Sequence, residues 1–398
     1  MTRSSFLFVT LIVVASCKQP GSPSVNTMPS PAGTNSAEPH LFTSTSNEVY
    51  LSWVEKHDDK HVFQFSKLKD GNWSDAKSIA EGNNWFVNWA DYPMVASDGN
   101  GNMIAHVLAK SGEGTFAYDV QMYTSANDGK AWGNPFVIHD DGKQAEHGFV
   151  TIIPYQGKMF VTWLDGRNTV KEGKEMTGDH SGHYGAMSLR AAIVDYAGNK
   201  IEEWELDNKT CDCCQTTAAI TENGPVVIYR DRSDEEIRDM SIVRLVNKEW
   251  TQPKAIHQDG WKIAACPVNG PRAASIGDNL GIAWYSAPDG KPQVNFVFSK
   301  DGGKHFGDPI RVDEGSPLGR VDIVMIDEGH SLVSWMENAE IRVARISHQG
   351  KKERSIAVAS SSTARASGFP QMTKAGDKII FAWTDDAEKT IKVASLTL

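Results

Sequence analysis

The pentapeptide Val333-Ser334-Trp335-Met336-Glu337 is one of seven related runs in this chain. The others read LSWVE (51–55), IAHVL (104–108), VTWLD (161–165), VIYRD (227–231), IAWYS (282–286) and FAWTD (381–385). Their central residues are Trp53, His106, Trp163, Tyr229, Trp284, Trp335 and Trp383, at steps of 53, 57, 66, 55, 51 and 48 residues. Two positions later stand Glu55, Leu108, Asp165, Asp231, Ser286, Glu337 and Asp385, mostly acidic. Repeats of this length with several strands each predict an all-β fold, a single β-propeller whose longer steps absorb loop insertions.

Each repeat parses into four antiparallel strands bounded by turn residues. In the first they are expected near 40–43, 49–53, 61–67 and 74–79, and in the fifth near 272–276, 280–284, 293–299 and 309–312. The last repeat has room for only three, near 370–374, 378–383 and 391–396, before the chain stops. Its fourth strand is expected from the N-terminal segment, which closes the ring. Seven blades are predicted, or six if one repeat is split. The second repeat is the weakest copy, with His106 and Leu108 in the aromatic and acidic slots.

The N-terminus reads as an export signal over 1–16. Arg3 precedes an apolar run over 6–14, too short for a stable membrane span, and then Ala15-Ser16-Cys17. Val14-Ala15-Ser16-Cys17 resembles a bacterial lipobox, which implies cleavage before Cys17, lipidation of that residue and anchoring at a membrane surface of the cell envelope. An ordinary signal peptide with a chance cysteine is the alternative. Residues 17–40, rich in Ser, Pro, Gly, Asn and Thr, are expected to form a flexible tether, with the propeller over 41–398. The 40 Lys and Arg against 50 Asp and Glu give a net charge of −10 with no basic block, which argues against a nucleic-acid partner.

Ser299-Lys300-Asp301-Gly302-Gly303-Lys304-His305-Phe306 matches the Asp-box form S-x-D-x-G-x-x-W/F, and residues 125–132 are a near copy with Asn127 in place of the aspartate. The chemistry is that of a turn. The Asp or Asn caps its own backbone, Gly takes a positive φ, and the aromatic ring packs beneath the hairpin. On the propeller repeat, these boxes resemble the sialidase superfamily, also called the BNR-repeat family, over about residues 41–398. The resemblance implies a sugar-carboxylate clamp of arginines, a tyrosine nucleophile activated by a glutamate, and an aspartate acid/base. On this chain the implied roles fall to Arg238 and Arg320, to Tyr285 with Glu337, and to Asp91. The early Arg-Ile-Pro segment of that family has no counterpart here, since Arg3 is the only arginine before Arg167.

In a four-stranded blade, the entry to the innermost strand and the loop after the second strand open on one face. Trp89, Asp91, His147, Cys211, Cys213, Cys214, Cys266, Asn269 and Arg320 fall at entries; Asp165, Arg167, Arg230, Asp231, Arg232, Tyr285 and Glu337 follow second strands; and Asp119, Arg238 and Asp239 begin third strands. A ring points these positions at a central funnel. The cysteines at entries of consecutive blades read either as two disulfides, natural in an exported chain, or as a thiolate site for copper or zinc. On an extended strand, the neighbours Cys213 and Cys214 would point apart. His147, with His180 and His183 in the long third-repeat loop, is a candidate additional ligand. Arg230, Arg232, Arg238 and Arg320 with Asn269 are candidates for an anionic ligand, with Asp231 and Asp239 orienting the arginines; the alternative is that these charges pair internally.

Three functions follow as expectations. The first is a lipid-anchored propeller whose Cys/Arg/His-lined funnel binds a soft metal or a small anionic ligand. The second is a glycoside hydrolase acting on sialic acid or another acidic glycan. The third is a non-catalytic propeller, held by disulfides, that docks a surface protein.

Overall fold

A computed structural model describes residues 24–170 and 185–398. Cys17, the signal segment, His180 and His183 lie outside the described residues. The described chain forms seven antiparallel sheets, each the blade of one repeat. Blade 1 runs Ser36–Thr43, Val49–His57, Lys60–Lys69 and Asn72–Trp73, with Lys77–Gly82 as an extra edge strand on Lys60–Lys69. Blade 5 runs Arg272–Ile276, Asn279–Ser286, Gln293–Ser299 and Ile310–Arg311. Blade 7 takes Gln371–Ala375, Lys378–Asp385 and Thr390–Thr397 from the C-terminus and Val25–Met28 from the N-terminus, in the register Val25 to Leu396. Residues 25–40 therefore belong to the propeller and not to a tether: their polar composition hides a pairing partner that lies at the far end of the chain.

The repeated pentapeptides are the second strands, and their two conspicuous positions serve one purpose. Side chains two apart on a strand share a face. Trp53 donates its indole N–H to Glu55 at 2.8 Å, Trp163 to Asp165 at 2.9 Å and Trp335 to Glu337 at 2.8 Å. A ring of this size adds on the order of 4–6 kcal/mol by burial at roughly 25 cal/mol per Å², and the carboxylate satisfies the only polar atom it carries inside. Trp284 has Ser286 in the acidic slot and takes Asp259 instead, at 2.7 Å. His106 has neither partner: both ring nitrogens are buried without hydrogen bonds, and burial lowers its pKa to about 3, so it packs as a neutral ring.

Apolar clusters fill the space between each pair of adjacent blades. Trp163 packs with blade 2, and Trp53 packs with Ile380 and Val393 of blade 7 across the closure. At both Asp-box turns the expected bonds form. Asp301 Oδ1 accepts from Ser299 Oγ at 2.8 Å and from the His305 N–H at 2.9 Å, and Gly303 has φ +81°. Asn127 Oδ1 makes the equivalent pair with Ser125 and Ala131.

Candidate functional site: a thiol cluster at the funnel

Blade 3 ends with the strand Lys200–Thr210 and blade 4 begins with Thr217–Thr221. Between them Cys211, Cys213 and Cys214 occupy a turn, anchored by the Cys211 N–H on the Arg230 carbonyl at 3.1 Å. Because this is a turn and not a strand, neighbouring side chains converge instead of alternating. The three sulfurs lie within 4.8 Å of one another, with Cys211 Sγ and Cys214 Sγ 3.7 Å apart. All four cysteines among the described residues are free thiols; Cys211, Cys213 and Cys214 are buried, and Cys266 is half-buried. Cys266 comes from the entry to blade 5 and joins the cluster through Cys213.

The segment Pro267-Val268-Asn269-Gly270 locks the cluster to the rest of the funnel. A Cβ on Gly270 would stand 2.2 Å from the Gln215 carbonyl oxygen, so only glycine permits this approach. The Gly270 N–H bonds Gln215 Oε1 at 2.9 Å, and Gln215 Nε2 reaches the Ala90 carbonyl in the entry to blade 2. Asn269 donates its N–H to the Cys214 sulfur, while its Oδ1 accepts from the Arg320 N–H at 2.7 Å and its carbonyl accepts from Arg230 Nη2 at 2.7 Å.

Two arginines face the sulfurs. Arg238 Nη1 donates to Cys211 Sγ over 3.1 Å while its Nη2 pairs with Glu236 at 2.7 Å. Arg230, 2% exposed, donates to the carbonyls of Arg238, Asn269 and Tyr285 and lies 4.8 Å over the Trp261 ring. Burial opposes ionisation of Cys211, Cys213 and Cys214 and pushes Cys211 up to about 11 and Cys213 well up. Cys214 is buried too, but it accepts from the other two thiols and from Asn269 beside the Arg230 charge, and is held well below the ordinary thiol range. Of the three sulfurs, Cys214 is the one whose surroundings favour the thiolate.

The arginines do not form an open clamp. Arg232 is spent on Asp212 and Glu236. Arg320 donates to Ser367, Gly368 and Ala364 and stacks on Trp89 at 5.0 Å, and burial lowers its pKa to about 10. Asp231 accepts from the Arg232 N–H and from Ser241, and Asp239 from the N–H groups of Gly260 and Trp261; neither grips a guanidinium. Asp239 acts at one remove, by holding the Trp261 ring that carries Arg230. The expectation that these residues present free donors to an anion is corrected: backbone carbonyls and local acids take their forks.

Beside the sulfurs opens a cavity of about 210 Å³, lined by Cys213, Cys266, Asp91, Tyr118, Glu146 and Trp89 among others. Asp91 is buried, accepts the Phe149 N–H at 2.7 Å through Oδ1 and leaves Oδ2 without a partner. Burial raises its pKa to about 7. Tyr285 packs edge-on to Trp261, and burial raises its pKa. Glu337 does not activate it. Both Glu337 oxygens are occupied, by Trp335, by the Glu314 N–H at 2.9 Å and by the Ser316 N–H at 2.7 Å, so this residue is a blade fastener.

His147 leaves the thiol site altogether. Its ring stacks on His139 at 3.6 Å and 8°. Nδ1 faces the carbonyls of Tyr118 and Ala145 at 3.2 Å each, and Nε2 faces Asp141 Oδ2 at 2.9 Å. These neighbours only accept, so His147 is satisfied as the imidazolium cation, which has no lone pair for a metal. Burial opposes that charge, but Asp141, Asp165 and Asp119 outweigh it and raise the pKa. The ligand atoms of His147 lie within 4.8 Å of those of Asp119 and His139 on one side and of Asp141 and Asp165 on the other, and not among the cysteine group.

Sequence reading missed Trp261, Glu236, Asp212 and Gln215, which position the arginines and the loops. Asp212, between the cysteines and opposite an arginine-rich loop, was the one with a visible signal.

No protein-family model matches this sequence, and no curated protein matches it. Solved structures do. A protein of unknown function from Dyadobacter fermentans is 13% identical, with 96% of this chain and 99% of that one covered and a TM-score of 0.51. The K499G mutant of NanB sialidase from Streptococcus pneumoniae is 10% identical over 94% and 92%, with a TM-score of 0.46. The Hadza microbial sialidase Hz136 is 14% identical, with 75% of this chain covered and a TM-score of 0.43; this chain spans 63% of its length. The chain is a seven-bladed propeller whose structural neighbours include sialidases, and at these identities the likeness concerns the fold.

Proposed function

We propose that this propeller binds a soft metal ion, copper(I) or zinc, on Cys211, Cys213 and Cys214. The observation that carries the reading is sulfur spacing. A tetrahedral ion with metal–sulfur bonds of about 2.3 Å holds its thiolates about 3.8 Å apart. Cys211 and Cys214 stand at 3.7 Å, whereas a disulfide needs about 2.05 Å. Two buried guanidiniums, Arg238 on Cys211 and Arg230 near Cys214, offset the negative charge that deprotonated sulfurs bring into the interior. Binding displaces the thiol protons, so affinity should rise with pH. The anchor expected at Cys17 would hold this site at a membrane surface, and Cys17→Ser would release it to the soluble fraction.

The test is metal titration of the reduced protein under anaerobic conditions, alongside thiol counting on the protein as isolated. Stoichiometric binding of copper(I) or zinc that is lost in Cys214→Ser is the expected result. Failure of the reduced wild type to bind either ion would end the reading, and absence of free thiols as isolated would favour structural disulfides.

A second reading, glycoside hydrolysis, is favoured by Asp91: a cavity carboxyl with a pKa near 7 and a free oxygen suits a general acid. Hydrolysis of a fluorogenic sialoside by wild type but not by Asp91→Asn or Tyr285→Phe would support it, and no turnover by the wild type would remove it.

A further inference from the structure

The four sulfurs are graded by depth. Cys211 and Cys214 are 1% and 2% exposed and stay outside the cavity; Cys213, 5% exposed, lines it; Cys266, the one half-buried member, lines it too. Cys213 is also the thiol that contacts Cys266. A structural metal site is closed on all sides, whereas here one edge of the sulfur group borders a cavity of about 210 Å³. Phe86, Phe116 and Phe149 line its wall as well.

Resting on the soft-metal reading, we propose that Cys266 is the entry ligand of a metal-exchange path, and that the propeller accepts and releases copper(I) by thiol exchange with a small thiol carrier. The carrier–copper complex meets the mouth of the cavity, where the half-buried Cys266 sulfur bonds to the ion. One carrier sulfur leaves and takes the Cys266 proton. Cys213 next displaces the second carrier sulfur in the same way. The ion then passes inward to Cys211 and to Cys214, which binds as the thiolate its surroundings favour; Cys266 lets go and regains the proton that Cys211 gives up. Copper stays in the +1 state throughout, so no oxidant or reductant is consumed. Arg238 and Arg230 favour the inner end, because the guanidinium charge lies beside Cys211 and Cys214.

The path separates rate from equilibrium. An entry ligand that is absent from the final site speeds capture by raising the local sulfur concentration and leaves the final affinity unchanged. Copper(I)–glutathione is mixed anaerobically with reduced protein, loading is followed by thiolate-to-copper absorption, and unloading is followed with a copper(I) chelator. Cys266→Ser is expected to slow both directions roughly tenfold, with equilibrium affinity held within about threefold. Cys214→Ser is expected to lose roughly 100-fold or more in affinity. Thermal melting of each variant checks folding, and Cys266→Ala replaces Cys266→Ser if the serine form melts early. Unchanged exchange rates in Cys266→Ser, or a collapse of its affinity, would overturn the entry role while leaving the thiol site standing. A wild type that takes up no copper(I) would remove the site itself.

Discussion

Arg238 donates a hydrogen bond to the Cys211 sulfur over 3.1 Å while the same guanidinium is held by Glu236. A donor of fixed charge on a buried sulfur favours the thiolate, and the glutamate fixes the direction of the fork. Arg238→Met removes the charge and keeps much of the side-chain volume. Metal affinity of the reduced protein should fall about tenfold, as for loss of a group that supports a ligand. Glu236→Gln, which loosens the aim of the fork, should fall less. Competition titration against a chelator reads both, and equal affinities in all three proteins would rule out a role for Arg238.

Much of this arrangement was legible before the fold was known. The Trp335–Glu337 pair announced the blades because side chains two apart on a strand share a face, so a structural bond wrote itself into the sequence as a repeat. The cysteines stood out by rarity, and their meeting with Cys266 followed from adjacent blade entries. Arg230 was not legible in the same way. Its partners are carbonyl oxygens of Asn269 and Tyr285, and every residue carries a carbonyl. His147 misled for a related reason: its environment is set by Asp141 and by backbone oxygens in a loop, and a histidine at a funnel entry looks the same whether it holds a metal or a proton. That the N-terminal segment closes the last blade was expected from the missing fourth strand, but its position within a stretch of polar composition was not legible, since Val25–Met28 is short and pairs only at the opposite end of the chain.

Glu337 offers a test of fastener against catalyst. Its carboxylate joins the Trp335 indole to the backbone of Glu314 and Ser316. Glu337→Ala strands a buried indole N–H and frees the loop, at a cost of about 3 kcal/mol. Glu337→Gln keeps one carbonyl acceptor and should lose less. Urea unfolding measures both. A catalytic glutamate would give the opposite pattern, lost turnover at unchanged stability.

Closure of the ring predicts that the N-terminal strand cannot be trimmed without consequence. Removing residues up to 28 exposes the ladder edge of Thr390–Thr397 and uncovers the Leu396 and Val393 surface against which Val25 and Met28 pack. An open, apolar edge strand pairs with other chains. Chains beginning at residue 30 should melt several degrees lower and self-associate on heating, as read by calorimetry and light scattering. A truncated chain with an unchanged melting point would mean that blade 7 is stable with three strands.

Stability should respond to pH through two groups of opposite kind that act in the same direction. Asp91 has its folded pKa raised to about 7 by burial, so the folded state holds its proton where the unfolded chain has released it. Between the ordinary aspartate value and about 7, the unfolded chain binds fewer protons, and stability falls as pH rises. His147, raised by Asp141, Asp165 and Asp119 against the opposing effect of burial, contributes stability that is complete below the ordinary histidine value and is lost as pH climbs through its folded pKa. Asp141, held low despite burial by the bonds from His139 and His147, adds stability that fades only as pH falls into the acid range. The melting temperature should therefore decline from mildly acidic to alkaline pH. Asp91→Asn keeps the Oδ1 acceptor for Phe149 and removes the ionisation, so it should flatten the fall and melt higher than wild type at pH 8. His147→Gln should remove the second component and melt lower than wild type at pH 5. Melting curves from pH 4 to 9 decide it: a wild-type profile that rises through this range would contradict both assignments.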